Sequence, residues 1–224
     1  MSREEARASA DSGDAPALSV LAAESGVAVD DARSAALLAY CDLLLRWGAR
    51  INLTGARDRA TLIAAHLPDA FALARLLTES GDVVDVGSGG GLPALPLALL
   101  RPTLTMVLCE PTAKKVAFLR TAIRELGLGE RVQVHATRAE ALIATKGGQF
   151  DVAMSRATLP PADWLALGER LVRPGGRVLA LVNHGVTTAP TDIRHPYLGG
   201  RRVVIERSVP RGTSASPTPR PPGV

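Results

Sequence analysis

The chain has few cysteines and few aromatic side chains, and each scarcity excludes something. Cys41 and Cys109 are the two cysteines of 224 residues. They lie far apart in apolar patterns, so no disulfide framework is expected and both read as reduced core residues of a cytoplasmic protein. Aromatic residues make up 3% of the chain, too few for a surface that stacks on many bases. No apolar run approaches the roughly 20 residues needed to span a bilayer. Residues 1–17 are acidic and alanine-rich, without the apolar centre of a secretory signal. No Cys or His spacing suits a metal site, so no metal is expected. Ser88 lies in Gly-Ser-Gly, but the G-x-S-x-G elbow of a serine hydrolase is missing. The 46% hydrophobic content suffices for the core of one domain. The net charge of +4 permits contact with nucleic acid without demanding it.

Glycine, by contrast, is concentrated in one place. Residues 82–100 read DVVDVGSGGGLPALPLALL: a β-branched run, an acid, four glycines, then a helix-like segment. Asp85, Gly87, Gly89 and Gly91 form D-x-G-x-G-x-G at a strand-to-helix junction, where the backbone turns sharply and a ligand approaches with no Cβ in the way. Dinucleotides and S-adenosylmethionine are both held by such loops. The dinucleotide register G-x-G-x-x-G needs glycine at position 92, which is Leu92. A carboxylate two residues before the first glycine suits a ligand with an amino-acid end.

A second strand pattern, residues 104–109, stops at Glu110, 23 residues after Gly87. That spacing suits a carboxylate accepting ribose hydroxyls. A third (131–135) leads to Ala139 and Glu140, beside the expected adenine. A fourth (150–154) runs into Ser155-Arg156-Ala157, and a fifth (177–182) follows Arg173-Pro174-Gly175-Gly176. Strands alternating with helical patterns predict an α/β fold with a central, mostly parallel sheet and helices on both faces. The ligand then belongs at the carboxyl ends of the strands.

Four segments resemble the glucose-inhibited division protein B family, the small-subunit rRNA guanine-N7 methyltransferases. They are Asn52-Leu53-Thr54 with His66 and Asp69; DVGSGGGLPALPLA; Glu110 followed by KKVAFL; and Ser155-Arg156-Ala157. The resemblance covers roughly residues 40–182 and implies a class I, Rossmann-like methyltransferase fold. By it, Gly87, Leu92, Glu110, Ala139, Glu140 and Arg156 would contact S-adenosylmethionine. Arg156 would also meet the guanine as the catalytic residue, and Asn52, Thr54, His66 and Asp69 would face the 16S rRNA or small-subunit substrate. The chain departs from the family after the fifth strand, where Ala180-Leu181-Val182-Asn183 replaces A-L-K-G. The lost lysine removes a cation near the substrate, for which Arg156 or His184 are the expected substitutes. The family's closing hairpin is also only half visible. One further strand pattern (202–205) appears, and its partner lies either in residues 186–198 or nowhere.

Residues 1–16 read as a flexible arm, 17–80 as a helical cap over the glycine loop, 81–207 as the core of the same domain, and 208–224 as a disordered tail rich in Pro, Ser and Thr. Asp30 or Asp31 caps a helix ending near Trp47, and a second helix is expected over residues 59–78. Basic clusters (Arg46, Arg50, Arg57, Arg59; Lys114, Lys115, Arg120, Arg124; Arg201, Arg202, Arg207, Arg211) suit RNA or a solvated face equally. A monomer is expected. No acid-base dyad is evident, which suits guanine N7, an acceptor that carries a lone pair and no proton. Two rivals remain: another acceptor on the same scaffold, and cofactor binding without catalysis.

Overall fold

The computed structural model describes residues 3–78 and 80–211, with side chains from residue 13 onward. Four helices come first: α1 (Arg3–Ser25), α2 (Asp31–Gly48), α3 (Arg59–Ala65) and α4 (Leu67–Leu76). Then follow β1 (Gly81–Val86), α5 (Ala94–Leu100), β2 (Leu104–Cys109), α6 (Ala113–Glu125), β3 (Val132–His135), α7 (Ala139–Lys146), β4 (Phe150–Arg156), α8 (Pro161–Glu169), β5 (Val172–Asn183), β6 (Ile193–Tyr197) and β7 (Arg202–Ser208). The sheet order is β3-β2-β1-β4-β5-β7-β6. Strands β1 to β5 run parallel, while β7 is antiparallel to both β5 and β6.

Alternation along β1 divides the core between the two faces of the sheet. Val83 joins an apolar cluster with α1 to α6, whereas Val84 and Val86 join another with Leu142 of α7 and Trp164 of α8. The helices on both faces and the mostly parallel sheet are those expected from the sequence. Strand order reverses between β1 and β4, so the crevice at their carboxyl ends is where a ligand fits in such a sheet.

Three sequence expectations need correction, and one left open is decided. Residues 3–16, expected as an arm, are helical, in keeping with their alanine content. The single helix over 59–78 is two, because Pro68 supplies no backbone N–H and the chain breaks at His66 (φ −119°, ψ −38°). The hairpin partner exists: β6 lies within residues 186–198 and pairs with β7 from Ile193↔Glu206 to Tyr197↔Arg202. The tail begins later than Ser208, which ends β7, and the Val209 N–H donates to the Gly176 carbonyl at 2.9 Å. Residues 212–224 lie outside the described residues.

The cap sits over the glycine loop. Asp30 caps α2 by accepting from the Arg33 N–H at 2.8 Å. The buried Tyr40 hydroxyl of α2 donates to the Gly90 carbonyl at 2.7 Å, and a Cβ on Gly90 would lie 3.1 Å from Leu44 and 3.4 Å from Leu53. The Asn52-Leu53-Thr54 segment is thereby pressed on the loop through Leu53.

Candidate active site

β1 delivers Asp85 to the crevice almost fully buried, at 1% exposure. Its Oδ2 has no hydrogen-bond partner among the described residues. Burial pushes its pKa up from 3.8 to about 7, although Ser88 and Arg156 oppose the shift. A buried carboxylate with an open lone pair is a socket for a cation. The glycines that follow differ in purpose. Gly87 and Gly91 have positive φ, and a Cβ on either would strike Thr158 (2.2 Å) or Leu95 (2.6 Å), so they serve the fold of the loop. Gly89, at φ +56°, faces open space, with only the Gly87 carbonyl within 4 Å. It is the position where a ligand backbone can lie.

Glu110, 3% exposed, crosses the loop from the end of β2. Its Oε2 accepts from the Gly89 N–H and its Oε1 from the Thr112 N–H, both at 2.9 Å. One N–H on each oxygen leaves a lone pair on each, which suits a pair of vicinal hydroxyls. Ala139 and Glu140 open α7 after β3, with Glu140 exposed in its first turn. Leu92, expected to touch the ligand, is 5% exposed and its side chain is part of the core.

The second half of the site is an ion-pair network around Asp69 of α4. Asp69 is 1% exposed and accepts from Arg156 Nη1 (2.9 Å), the Tyr197 hydroxyl (2.7 Å) and Arg202 Nη1 (2.6 Å). Arg156 Nη1 also lies 3.3 Å from His66 Nδ1, and His66 Nε2 lies 3.1 Å from Thr54 Oγ1. Because a guanidinium only donates, Nδ1 accepts, and the imidazole carries its proton on Nε2 and donates it to Thr54. Burial, reinforced by Arg156, holds the His66 pKa below the usual imidazole value, so the ring is neutral. The turn after β4 is fixed by Ser155 Oγ, 2.8 Å from the Val86 carbonyl, and by Ala157 at φ +54°, a strained conformation for a non-glycine residue.

His66, Asp69, Ser155, Arg156 and Ala157 line an open cavity of about 460 Å³, walled also by Leu159, Trp164, Val182, Val186, Tyr197 and Arg202. The structure brings the side chains of Thr54, His66, Asp69 and Arg156 together, whereas Asn52 is exposed. Asp69, expected to face the substrate, lines the cavity with its carboxylate bonded to two arginines and a tyrosine.

Comparison with known proteins decides the family. The sequence pattern described as rRNA small subunit methyltransferase G matches residues 33–187. The ribosomal RNA small subunit methyltransferase G of Anaeromyxobacter dehalogenans is 39% identical over 168 residues, 75% of this chain and 77% of that protein. The protein of the same name from Xanthomonas euvesicatoria is 41% identical over 153 residues, 68% of this chain and 70% of that one. The chain belongs to the rRNA small subunit methyltransferase G family. A methyltransferase structure from Geobacter sulfurreducens, 17% identical, shares the fold, with a TM-score of 0.54 covering 78% of this chain and 88% of that one. This member of the methyltransferase G family therefore has the class I fold expected of it.

Two residues of the cavity lining, Tyr197 and Arg202, are not placed there by the sequence, which marks Arg202 only as one of a basic cluster. His184, expected to replace the missing lysine, is exposed and does not line the cavity, whereas Arg202 does. Of the basic clusters, Arg59, Arg202 and Arg207 are taken up by internal ion pairs with Asp42, Asp69 and Asp192. Arg50, Arg57, Lys114 and Arg120 remain exposed. Among the described residues, no helix is long and apolar enough to cross a membrane, and no group of three His, Cys, Asp or Glu side chains is placed to hold a metal.

Proposed function

We propose that this methyltransferase uses S-adenosylmethionine to methylate N7 of a guanine in small-subunit (16S) rRNA, acting as a monomer in the cytoplasm. Family membership supports the reaction class. The observation that carries the acceptor is the state of His66, the one ring nitrogen base in the cavity: its Nδ1 lone pair is engaged by Arg156, and its Nε2 proton points to Thr54. Among the described residues that line the cavity, no free imidazole is left to deprotonate a hydroxyl or an amine. Guanine N7 needs none.

The residues on the donor side fit the cofactor. Asp85 Oδ2 would take the amino group of the methionine end, Gly89 would pass its backbone, and Glu110 would accept the ribose hydroxyls, with Ala139 and Glu140 beside the adenine. The sulfonium supplies a methyl group that leaves with no proton transferred. The chain's own contribution is alignment. Arg156, at the end of β4, bonds Asp69 on one side and lies near enough to bias the Asp85 carboxyl on the other. It thus stands where donor and acceptor meet, and rate comes from holding them in line. N7 lies in the deep, narrow major groove of A-form RNA, so the target is a loop or flipped-out nucleotide.

Tritium transfer from labelled S-adenosylmethionine to naked rRNA, free 30S subunits and whole ribosomes, run in parallel, tests the reading. Label in at least one of these RNAs is expected, and label in none would contradict it.

A further inference from the structure

The substrate cavity holds three charged side chains, Asp69, Arg156 and Arg202. Asp69 divides its oxygens between the two guanidiniums, Oδ2 to Arg156 and Oδ1 to Arg202 and Tyr197. His66 is neutral at pH 7, for the reasons given above. One carboxylate against two guanidiniums leaves one positive charge. The walls around it include Leu159, Trp164, Val182 and Val186, which offer no counter-charge. A half-buried cation in such walls is stabilised by an anion that joins it. Both arginines are fixed through Nη1, and no hydrogen bond among the described residues uses their Nη2 or Nε atoms. Two guanidiniums anchored on one carboxylate present their remaining N–H groups as a paired site, the geometry that suits phosphate oxygens.

We infer that Asp69 holds Arg156 and Arg202 as a paired guanidinium site for one phosphate of the RNA strand, beside the nucleotide to be methylated. The inference rests on the rRNA-methyltransferase reading. Arg202 touches the phosphate, and Asp69 is a positioning residue that fixes the spacing of the pair. Arg202 faces Asn183 across the β5–β7 register, one position from Val182. It therefore supplies from the neighbouring strand the positive charge that Val182 lacks. The chain thus compensates within the cavity for its departure from the family sequence, through a hairpin strand beyond the residues that the family pattern matches.

The test uses the full chain, 30S subunits and an unmodified fragment of small-subunit rRNA. Arg202→Gln is expected to raise KM for 30S subunits about tenfold, the loss typical of one charged contact. It lowers the slope of log K against log salt for the rRNA fragment by about 0.7 to 0.9, while cofactor affinity by calorimetry stays within about twofold. Arg202→Lys restores the salt slope, and Val182→Lys restores it in the Arg202→Gln background. Asp69→Asn keeps the shape but not the charge, and raises KM without altering cofactor affinity. An unchanged salt slope in Arg202→Gln overturns the phosphate site. A fall in kcat with the slope unchanged also overturns it, placing Arg202 on the base instead. Fragment binding is read without turnover, so a wild-type protein that binds RNA but transfers no methyl contradicts the reaction alone, and the slope still decides the phosphate site.

Discussion

Arg156 Nη1 lies 2.9 Å from Asp69 Oδ2, which ties the carboxyl end of the fourth strand to the first turn of α4. The cap helices are therefore bonded to the carboxyl end of a central strand through a buried charge. Arg202 extends the same bond to the C-terminal hairpin.

Removing that charge is expected to loosen all three elements. Asp69→Ala leaves two guanidiniums and the Tyr197 hydroxyl facing one another without an acceptor. The loss is about 3 kcal/mol, the low end for a broken buried pair because both arginines keep about a quarter of their side-chain surface in water (27% and 25%). Urea denaturation measures it, and a change below about 1 kcal/mol would show that the network is not structural.

If Asp85 takes the cofactor's amino group as proposed, cofactor affinity is expected to depend on pH. Its carboxyl titrates near 7 in the free protein, and a bound ammonium favours the ionised form. Affinity is therefore expected to fall up to about tenfold per unit below pH 7, with a proton released from the carboxyl on binding at pH 6. Calorimetry in buffers of different ionisation enthalpy reads that proton. Asp85→Asn abolishes both effects and binds weakly throughout.

The same group sets a stability trend. Its folded pKa is raised above its unfolded value, so its favourable contribution is complete below pH 3.8 and is lost as pH rises through 7. Asp85→Asn is expected to melt higher than the wild type at pH 8, and the gap should close toward pH 4. A variant less stable than the wild type at pH 8 would contradict the burial argument.

The glycine loop separates binding from packing. Gly89→Val projects a branched side chain into the open space at φ +56° and should abolish cofactor binding. Glu110→Ala should weaken it by roughly 1.5–3 kcal/mol, through lost charged hydrogen bonds and a freed Gly89 N–H. Undiminished affinity in Gly89→Val would place the cofactor elsewhere.

Much of this was legible in the sequence, for identifiable reasons. β1, β2 and β4 are buried runs ending in glycine, acid or Ser-Arg, so their limits are marked by sharp changes in residue type. β6 is not legible, because Ile193-Arg194-His195-Pro196-Tyr197 is an edge strand, where charge and proline are tolerated and apolar alternation is not required. The helical pattern from residue 59 runs on without interruption, and only Pro68 marks the break. At the site, Asp85, Gly89 and Glu110 follow from local spacing. The Asp69–Arg202 pair does not, since its partners are 133 residues apart and nothing local to either announces the other.

The most direct test of the account is the chemistry of the product. 16S rRNA labelled by this enzyme is treated with borohydride and aniline, which cleave the chain at a charged N7-methylguanine. The account predicts scission at one guanine that coincides with the incorporated methyl group and is absent with Gly89→Val enzyme. A labelled rRNA that resists cleavage would place the methyl on another atom and contradict it.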